Sequence, residues 1–277
     1  MFQKEYSNWI KSFYNFLFKE NISDKEYMEC MNFKNEKMPE FLYQYTKVKH
    51  ADDLLKNDLM FLRTFDNLND PFDGDFLGVD EDIHRLAVEE VNGESYQIKK
   101  DVVRIEVDFD YKKEYRVACF SESNDCSPMW AFYGDNHKGI CVGYAFHENS
   151  LFELFCYPIY YVESTNNDSI THKLIEDEIL PNRQLMEIFI KKSESWNFEN
   201  EWRIVLSDKK PFKRFNFELY GENKYLKFLK PASVYLGLKI DDDSRKRIID
   251  LCKERNIKVF EMKKDTSGYN LIPKPVD

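Results

Sequence analysis

The sequence predicts an α+β fold with a mixed β core, surrounding helices and an N-terminal helical extension. Apolar runs bounded by turn residues recur after residue 40, which is the pattern of strands. Segments with helical periodicity lie between those runs and over the first forty residues. A hydrophobic fraction of 43% in 277 residues supplies one packed core. We therefore predict a helical extension over residues 1–40 and a single α+β core domain over residues 41–277.

The extension is predicted to form two helices, and the core alternates strands with helices. Trp9, Phe13, Phe16 and Leu17 share one face of the first helix, and Ser23 with Glu26 forms a capping box for the second. The predicted strands are 41–45, 59–64, 117–122, 140–146, 196–206, 234–238 and 257–262. The predicted core helices are 50–56, 80–100, one capped by Ser127 with Pro128 at its first position, 170–192 and 242–255.

The charge, the apolar runs and the cysteine content indicate which partners and which cellular location to expect. A formal charge of −10 disfavours an extended nucleic-acid surface, because such surfaces need clustered Lys and Arg. Lys and Glu side chains interrupt the first twenty residues, which leaves no apolar run suited to a signal peptide or a membrane span. The six cysteines lack short Cys-x-x-Cys pairs and indicate reduced thiols. We expect a cytoplasmic protein with no membrane partner.

A row of charged residues lies in the predicted strand 196–206. Alternation places Glu199, Glu201 and Arg203 on one face and Trp202 on the other. Crowding of this kind raises the pKa of one carboxylate while a guanidinium keeps another ionised. The alternative is a solvent-exposed strand face with a weak ion pair. The aromatic residues nearby favour a cleft over that alternative, since they would anchor a catalytic carboxylate rigidly.

A second candidate position is Ser121, at the end of the predicted strand 117–122. A strand that ends before a helix N-terminus can offer backbone amides to an anionic group, and Ser121 is the hydroxyl at that place. The alternative is an ordinary turn serine. Because no Gly-x-Ser-x-Gly motif is present, we do not expect acyl transfer.

Two further segments carry side chains of the types that bind metal ions. In the loop of residues 69–75, Pro71 would occupy a ligand position of a calcium loop, so we interpret it as a rigid turn with Asx hydrogen bonds and one side chain near the cleft. The spacing of Cys119, Cys126, His137 and Cys141 fits no common zinc module. We therefore expect no metal.

Several motifs follow one another in a fixed order along the core. They are Leu42-Tyr43-Gln44-Tyr45, Asn69-Asp70-Pro71-Phe72-Asp73, Cys119-Phe120-Ser121-Glu122, Met129-Trp130-Ala131-Phe132-Tyr133, His137-Lys138-Gly139-Ile140-Cys141-Val142-Gly143 and Trp196-Asn197-Phe198-Glu199-Asn200-Glu201-Trp202-Arg203. Together these motifs resemble a bacterial and phage family, the domain-of-unknown-function family 2971. The resemblance covers roughly residues 41–262 and leaves the first helices outside it.

A looser resemblance is to the ADP-ribosyltransferase fold, through an aromatic first strand, a strand that ends in Phe-Ser and a later strand with Glu-x-Glu. It implies that Ser121 holds the nicotinamide end of NAD and that Glu201 stabilises the ribosyl cation, with Glu199 as the upstream glutamate. Tyr43 or Tyr45 would replace the first-strand His or Arg of many relatives.

These resemblances imply an enzyme that cleaves NAD and transfers ADP-ribose to a macromolecule, protein or nucleic acid, as a toxin or phage-defence effector with a neutralising partner protein. Trp130 and Tyr133 would form aromatic walls, and Arg63, Lys138 and Arg203 are candidate groups for the pyrophosphate. NAD would be the substrate. The alternative function is a non-enzymatic module of the same fold that binds a nucleotide or a protein.

Overall fold

The computed structural model describes residues 2–19, 22–74, 90–91, 94–95, 112–113, 115–146, 155–163, 186, 188–207, 219–220 and 225–276. The architecture is mixed α+β, as predicted. Most of the predicted helices 80–100 and 170–192 lies outside the described residues. Within the first of them, Glu90–Val91 and Glu94–Ser95 are described and form an antiparallel strand pair, so a helix is wrong there.

The α-helices and strands of the described residues have the following bounds. The helices are α1 Phe2–Leu17, α2 Asp24–Lys37, α3 Ala51–Asn57, α4 Ser127–Phe132 and α5 Asp242–Glu254. The strands are β1 Phe41–Thr46, β2 Leu59–Phe61, β3 Arg63–Thr64, β4 Glu90–Val91, β5 Glu94–Ser95, β6 Tyr115–Ser121, β7 Ile140–Ala145, β8 Cys156–Pro158, β9 Tyr160–Val162, β10 Lys191–Ser193, β11 Glu201–Ser207, β12 Leu219–Tyr220, β13 Tyr225–Lys227, β14 Ser233–Leu236, β15 Lys258–Lys264 and β16 Leu271–Pro275.

Most of the described strands join one twisted sheet in the order β16-β15-β14-β7-β1-β6-β11-β8, and β3 pairs with β6. Its pairs are antiparallel except β14 with β15, which α5 connects in the predicted strand-helix-strand unit. The sheet thus places β1, β6 and β11 side by side at its centre.

One face of this sheet packs on the main apolar core. Leu42 of β1, Phe120 of β6 and Trp202 of β11 are buried there with residues of α3 and α5. The face with odd-numbered residues on these strands carries Tyr43, Ser121 and side chains of β11. Strand alternation therefore separates an apolar side from a polar side at the sheet centre.

The two N-terminal helices pack on the edge of the sheet near β8 and β9. Trp9 of α1 lies 6.2 Å from Trp202, measured between ring centroids. The buried Lys34 of α2 donates a hydrogen bond to the carbonyl oxygen of Cys156 at 2.8 Å. The predicted capping box of Ser23 and Glu26 is confirmed at the start of α2. The division of the chain at residue 40 stays a prediction.

Three further local predictions are wrong. The predicted strand 196–206 starts only at Glu201, because residues Glu194–Glu199 form a 3-10 helix and Asn200 adopts a left-handed φ of 42°. The end of the predicted helix 170–192 is instead strand β10. At α4, Cys126 and not Ser127 occupies the N-cap position, and its side chain makes no capping hydrogen bond.

No helix in the part of the chain that the structure describes has the length and apolarity needed to cross a bilayer. The cysteines Cys30, Cys119, Cys126, Cys141, Cys156 and Cys252 are all free thiols.

Candidate functional site

A row of three side chains crosses the centre of the sheet. On β6, Ser121 pairs in register with Tyr43 of β1 on one side and with Glu201 of β11 on the other. Cross-strand neighbours of this kind have Cβ atoms about 5 Å apart, so their side chains meet on one face. The three strands therefore bring together residues that are far apart in the sequence.

This row lies in a cleft with a volume of about 90 Å³. Small-molecule sites typically measure roughly 300–1,000 Å³, so this cleft is smaller than a typical ligand site. The described residues that line it are Tyr43, Gln44, Tyr45, Phe61, Arg63, Leu68, Asn69, Asp73, Val117, Ala118, Cys119, Phe120, Ser121, Met129, Tyr133, Lys192, Glu199, Glu201 and Arg203.

The floor of the cleft is a buried ionic network, which we call the ionic floor: Asp73, Lys192, Glu199, Glu201 and Arg203. Each of the five is at most 6% exposed. The Arg203 guanidinium forms one bidentate pair with Asp73, at 2.6 and 2.5 Å, and a second with Glu201, at 2.6 and 2.9 Å. Its Nη1 also donates to the carbonyl oxygen of Phe189. Arg203 is therefore fully occupied inside the protein.

The ammonium of Lys192 completes the ionic floor. Its Nζ lies 2.5 Å from Oε2 of Glu199, 3.1 Å from Oε2 of Glu201 and 3.7 Å from Oδ2 of Asp73. Opposite Lys192, the Tyr133 hydroxyl donates to Oε1 of Glu199 at 2.5 Å. Asn69 contacts the same hydroxyl at 2.8 Å and so fixes its orientation.

The two glutamates have opposite electrostatic environments. Burial and then the charge of Glu201 raise the pKa of Glu199 to about 7, against the influence of Lys192 and Tyr133. Burial also acts to raise the pKa of Glu201, but Arg203 and Lys192 outweigh it and hold that pKa below its ordinary value. Burial and Glu199 raise the pKa of the Tyr133 hydroxyl, which keeps it a proton donor. Glu201 is therefore ionised at neutral pH, and Glu199 titrates there.

Local structure explains how Glu199 reaches this position. The 3-10 helix Glu194–Glu199 ends at the left-handed Asn200, which turns the chain into β11. The hydroxyl of Ser121 donates to the carbonyl oxygen of Glu199 at 2.6 Å and fixes that turn to β6. In consequence Glu199 and Glu201 both face Lys192, although only Glu201 belongs to the strand.

The first strand supplies two tyrosines with different roles. Tyr45 is buried against Trp130, and its hydroxyl donates to the carbonyl oxygen of Ser123 at 2.8 Å. Tyr43 packs over Gly143, where an added Cβ would lie 3.2 Å from the ring and 2.4 Å from Oγ of Ser233. Burial and then Tyr235 raise the pKa of the Tyr43 hydroxyl, so it stays protonated.

The structure brings together most of the residues selected from the sequence. Tyr43, Tyr45, Arg63, Ser121, Tyr133, Glu199, Glu201 and Arg203 all line the cleft. Trp130 is fully buried behind it, where its indole N–H donates to the carbonyl oxygen of Asn124. The exposed Lys138 is not among the described lining residues.

The sequence reasoning missed Lys192 and the pairing of Asp73. The sequence pattern predicts a helix at Lys192, and no motif distinguishes this residue from its neighbour Lys191. The loop of residues 69–74 does form the expected Asx turn, in which the Phe72 amide donates to Oδ1 of Asp70. Its Asp73 is the side chain near the cleft. Within the described residues, no group of three His, Cys, Asp or Glu side chains is arranged to hold a metal ion.

Comparison with known proteins gives one match. Residues 129–204 match the family model described as "Protein of unknown function (DUF2971)", and this segment contains Tyr133, Lys192, Glu199, Glu201 and Arg203. The match spans about a quarter of the chain, and the motifs before residue 129 lie outside it. Neither the curated proteins nor the solved structures give a match. Over residues 129–204, the chain is therefore similar to the DUF2971 family of proteins of unknown function.

Proposed function

We propose that this protein cleaves the nicotinamide–ribose bond of NAD and transfers ADP-ribose to a macromolecule. The observation that carries the proposal is the row of Tyr43, Ser121 and Glu201 on three adjacent strands, with Glu199 beside it. The ADP-ribosyltransferase resemblance implies these residue types on three such strands. Their meeting in one cleft supports that chemistry.

The electrostatic difference between the glutamates supports the assignment of two roles. When neighbouring titratable groups have pKa values pushed apart, one usually serves as a charged group and the other exchanges protons. Glu201, held ionised by Arg203 and Lys192, would stabilise the positive charge that develops on the ribose. Glu199, with a pKa of about 7, would act as the base.

The proposed reaction balances without a further reactant. The bond between the ribose C1′ and the nicotinamide nitrogen breaks, and its electron pair leaves with nicotinamide, which becomes neutral. The resulting oxocarbenium ion is attacked at C1′ by a nucleophile of the acceptor. The proton of that nucleophile passes to Glu199, whose other oxygen remains bound to Lys192 at 2.5 Å. With water as the acceptor, the same steps give free ADP-ribose.

The size of the cleft defines which part of NAD it would hold. With a volume of about 90 Å³, the cleft would hold a single ring of NAD, beside Glu199 and Glu201. The exposed Arg63, which also lines the cleft, is the group we assign to the pyrophosphate. Arg203 is not free for that task because Asp73 and Glu201 occupy its guanidinium. Ser121 would act through Glu199, whose backbone its hydroxyl holds.

The proposal is tested by incubating the protein with NAD and cell lysate and measuring nicotinamide release and labelled macromolecules. Glu201→Gln should lower the rate about a hundredfold, because it removes a charge worth roughly 3 kcal/mol in the transition state. Its circular dichroism spectrum should match that of the wild type. Glu254→Gln, at an exposed position in α5, is the matched control and should retain full activity.

Two results would contradict the proposal. The first is unchanged turnover in folded Glu201→Gln protein. The second is saturable binding of NAD or another nucleotide by the wild type without release of nicotinamide, which is what a non-enzymatic binding module predicts.

A further inference from the structure

Lys192 is the least expected member of the ionic floor. Its side chain is 3% exposed, and its Nζ lies within 3.7 Å of three different carboxylates. The ammonium also lies 5.1 Å from the centroid of the Trp196 ring. An ammonium in such a place is costly to desolvate, so it persists only where its partners compensate for the lost water.

The position of Lys192 differs from that of Arg203, the other cation of the ionic floor. Arg203 bonds Asp73 and Glu201, whereas Lys192 bonds Glu201 and Glu199. Among the described hydrogen bonds and ion pairs, the Lys192 ammonium is the cationic link between the two glutamates. Two carboxylates this close repel each other unless a cation lies between them.

We propose that Lys192 is a positioning residue of the cleft: its ammonium holds Glu199 and Glu201 side by side and thereby sets the pH at which Glu199 can accept a proton. Lys192 acts through the two glutamates. The kinetic consequence rests on the proposed NAD cleavage, whereas the titration of Glu199 does not.

The groups around Glu199 determine the sign of the effect. Those facing it from neighbouring elements are the Tyr133 hydroxyl after α4, the Cys126 thiol before α4, Glu201 of β11 and Lys192 of β10. Those facing Lys192 are Glu199, Glu201, Asp73 and Arg203. Lys192 is the cation among the named groups that face Glu199. Its removal leaves the negative charge of Glu201 without that opposing charge beside Glu199, so Glu199 keeps its proton to higher pH.

The kinetic test compares the pH profiles of nicotinamide release by wild type and Lys192→Met. A base must be unprotonated, so the wild-type rate falls as the pH falls through about 7, the pKa of Glu199. In Lys192→Met this acidic limb should move upward by about 1–3 pH units, the effect of losing an adjacent opposite charge. Lys192→Arg should restore the midpoint. Lys263→Met, which removes the more exposed partner of Glu261, should leave the profile unchanged.

The titration test follows the wild-type protein and does not need turnover. In protein labelled with ¹⁵N-lysine, the Nζ resonance of Lys192 should shift with a midpoint near neutral pH, because Glu199 titrates 2.5 Å away. Lys192→Arg assigns the resonance by its loss, and Glu199→Gln should abolish the shift.

The outcomes separate this inference from the proposed function. A neutral-pH shift of the Lys192 resonance in a protein that releases no nicotinamide supports the link and refutes NAD cleavage. An Nζ resonance that stays constant between pH 5 and 9 overturns the inference, as does a folded Lys192→Met protein with an unmoved acidic limb. If Lys192 were purely structural, Lys192→Met would change stability and the maximal rate without moving the acidic limb of the pH profile.

Discussion

Strand β11 has two buried faces that are stabilised by different physics. On one, Trp202, Ile204 and Leu206 pack into the main apolar core. On the other, Glu201 and Arg203 join the ionic floor. Trp202 and Arg203 are both 0% exposed, so burial does not distinguish the faces. The charge of the buried side chains distinguishes them.

The two faces therefore respond differently to mutation. Removal of apolar volume costs transfer free energy plus a cavity term, and neither term depends on pH. On the ionic floor, three carboxylates face two cations, so removal of one partner leaves a buried charge uncompensated. Stability on that face therefore depends on the balance between ionised carboxylates and cations, and that balance changes with pH.

The largest expected effect is on the ionic face. Arg203→Met leaves Asp73 and Glu201 without their bidentate partner, and we expect it to lower the free energy of unfolding by about 5 kcal/mol. A loss of that size approaches the whole stability of an ordinary domain. The measurement is urea denaturation at pH 7, or the soluble yield where the variant does not fold.

Two companion variants sharpen this prediction. Arg247→Met breaks a surface ion pair with Asp52 and should cost under about 1 kcal/mol. Adding Asp73→Asn and Glu201→Gln to Arg203→Met should recover much of the stability, because no carboxylate then lacks a partner. An Arg203→Met protein as stable as Arg247→Met would show that water reaches the ionic floor.

The next effect is on the apolar face. Trp202→Ala should lower the free energy of unfolding by about 3–5 kcal/mol, through a cavity against Trp9 and the core. The loss should be the same at pH 6 and pH 8, whereas that of Arg203→Met should shrink towards low pH as its carboxylates gain protons. Tyr269→Ala, at a fully exposed ring, is the control and should be close to neutral. A pH-dependent loss in Trp202→Ala would remove the distinction between the faces.

The apolar half of this comparison could be predicted from the sequence. Alternation in 201–206 assigned Trp202 to the core, and the unit of β14, α5 and β15 followed from local patterns. The last strand, Leu271–Pro275, was missed because its two prolines are unfavourable inside a sheet; here β16 lies at the sheet edge.

The ionic half could be predicted only in part. Glu199, Glu201 and Arg203 were expected on one face, as alternate positions of a single strand, although Glu199 lies before the strand. The exposed alternative is wrong because all three are buried. A period-two hydrophobic pattern carries no information about backbone φ, so it does not predict the left-handed conformation of Asn200. Lys192 and Asp73 meet from segments more than a hundred residues apart, and no local signal encodes such a contact.

The smallest expected effect is the pH dependence contributed by Glu199. Its pKa is raised from an ordinary 4.5 to about 7, so between these values the folded protein retains a proton that the unfolded chain releases. Stability from this group therefore falls as the pH rises from about 4.5 to 7 and is constant above. Glu201 has a lowered pKa and acts in the opposite direction, because its contribution is lost only as the pH falls below about 4.5.

Glu199→Gln removes the contribution of Glu199 to the pH dependence, so the difference between wild type and variant measures that contribution. As the pH rises from 5 to 7.5, the free energy of unfolding of the variant should increase relative to that of the wild type by up to about 3 kcal/mol. One pKa unit corresponds to about 1.4 kcal/mol. Urea denaturation at a series of pH values measures the difference. Glu163→Gln, at an exposed position, should follow the wild-type curve. Parallel curves for wild type and Glu199→Gln would mean that Glu199 is already ionised at pH 5. Lys192 and Arg203 would then tolerate all three carboxylates as charges, and Glu199 would not exchange its proton near neutral pH.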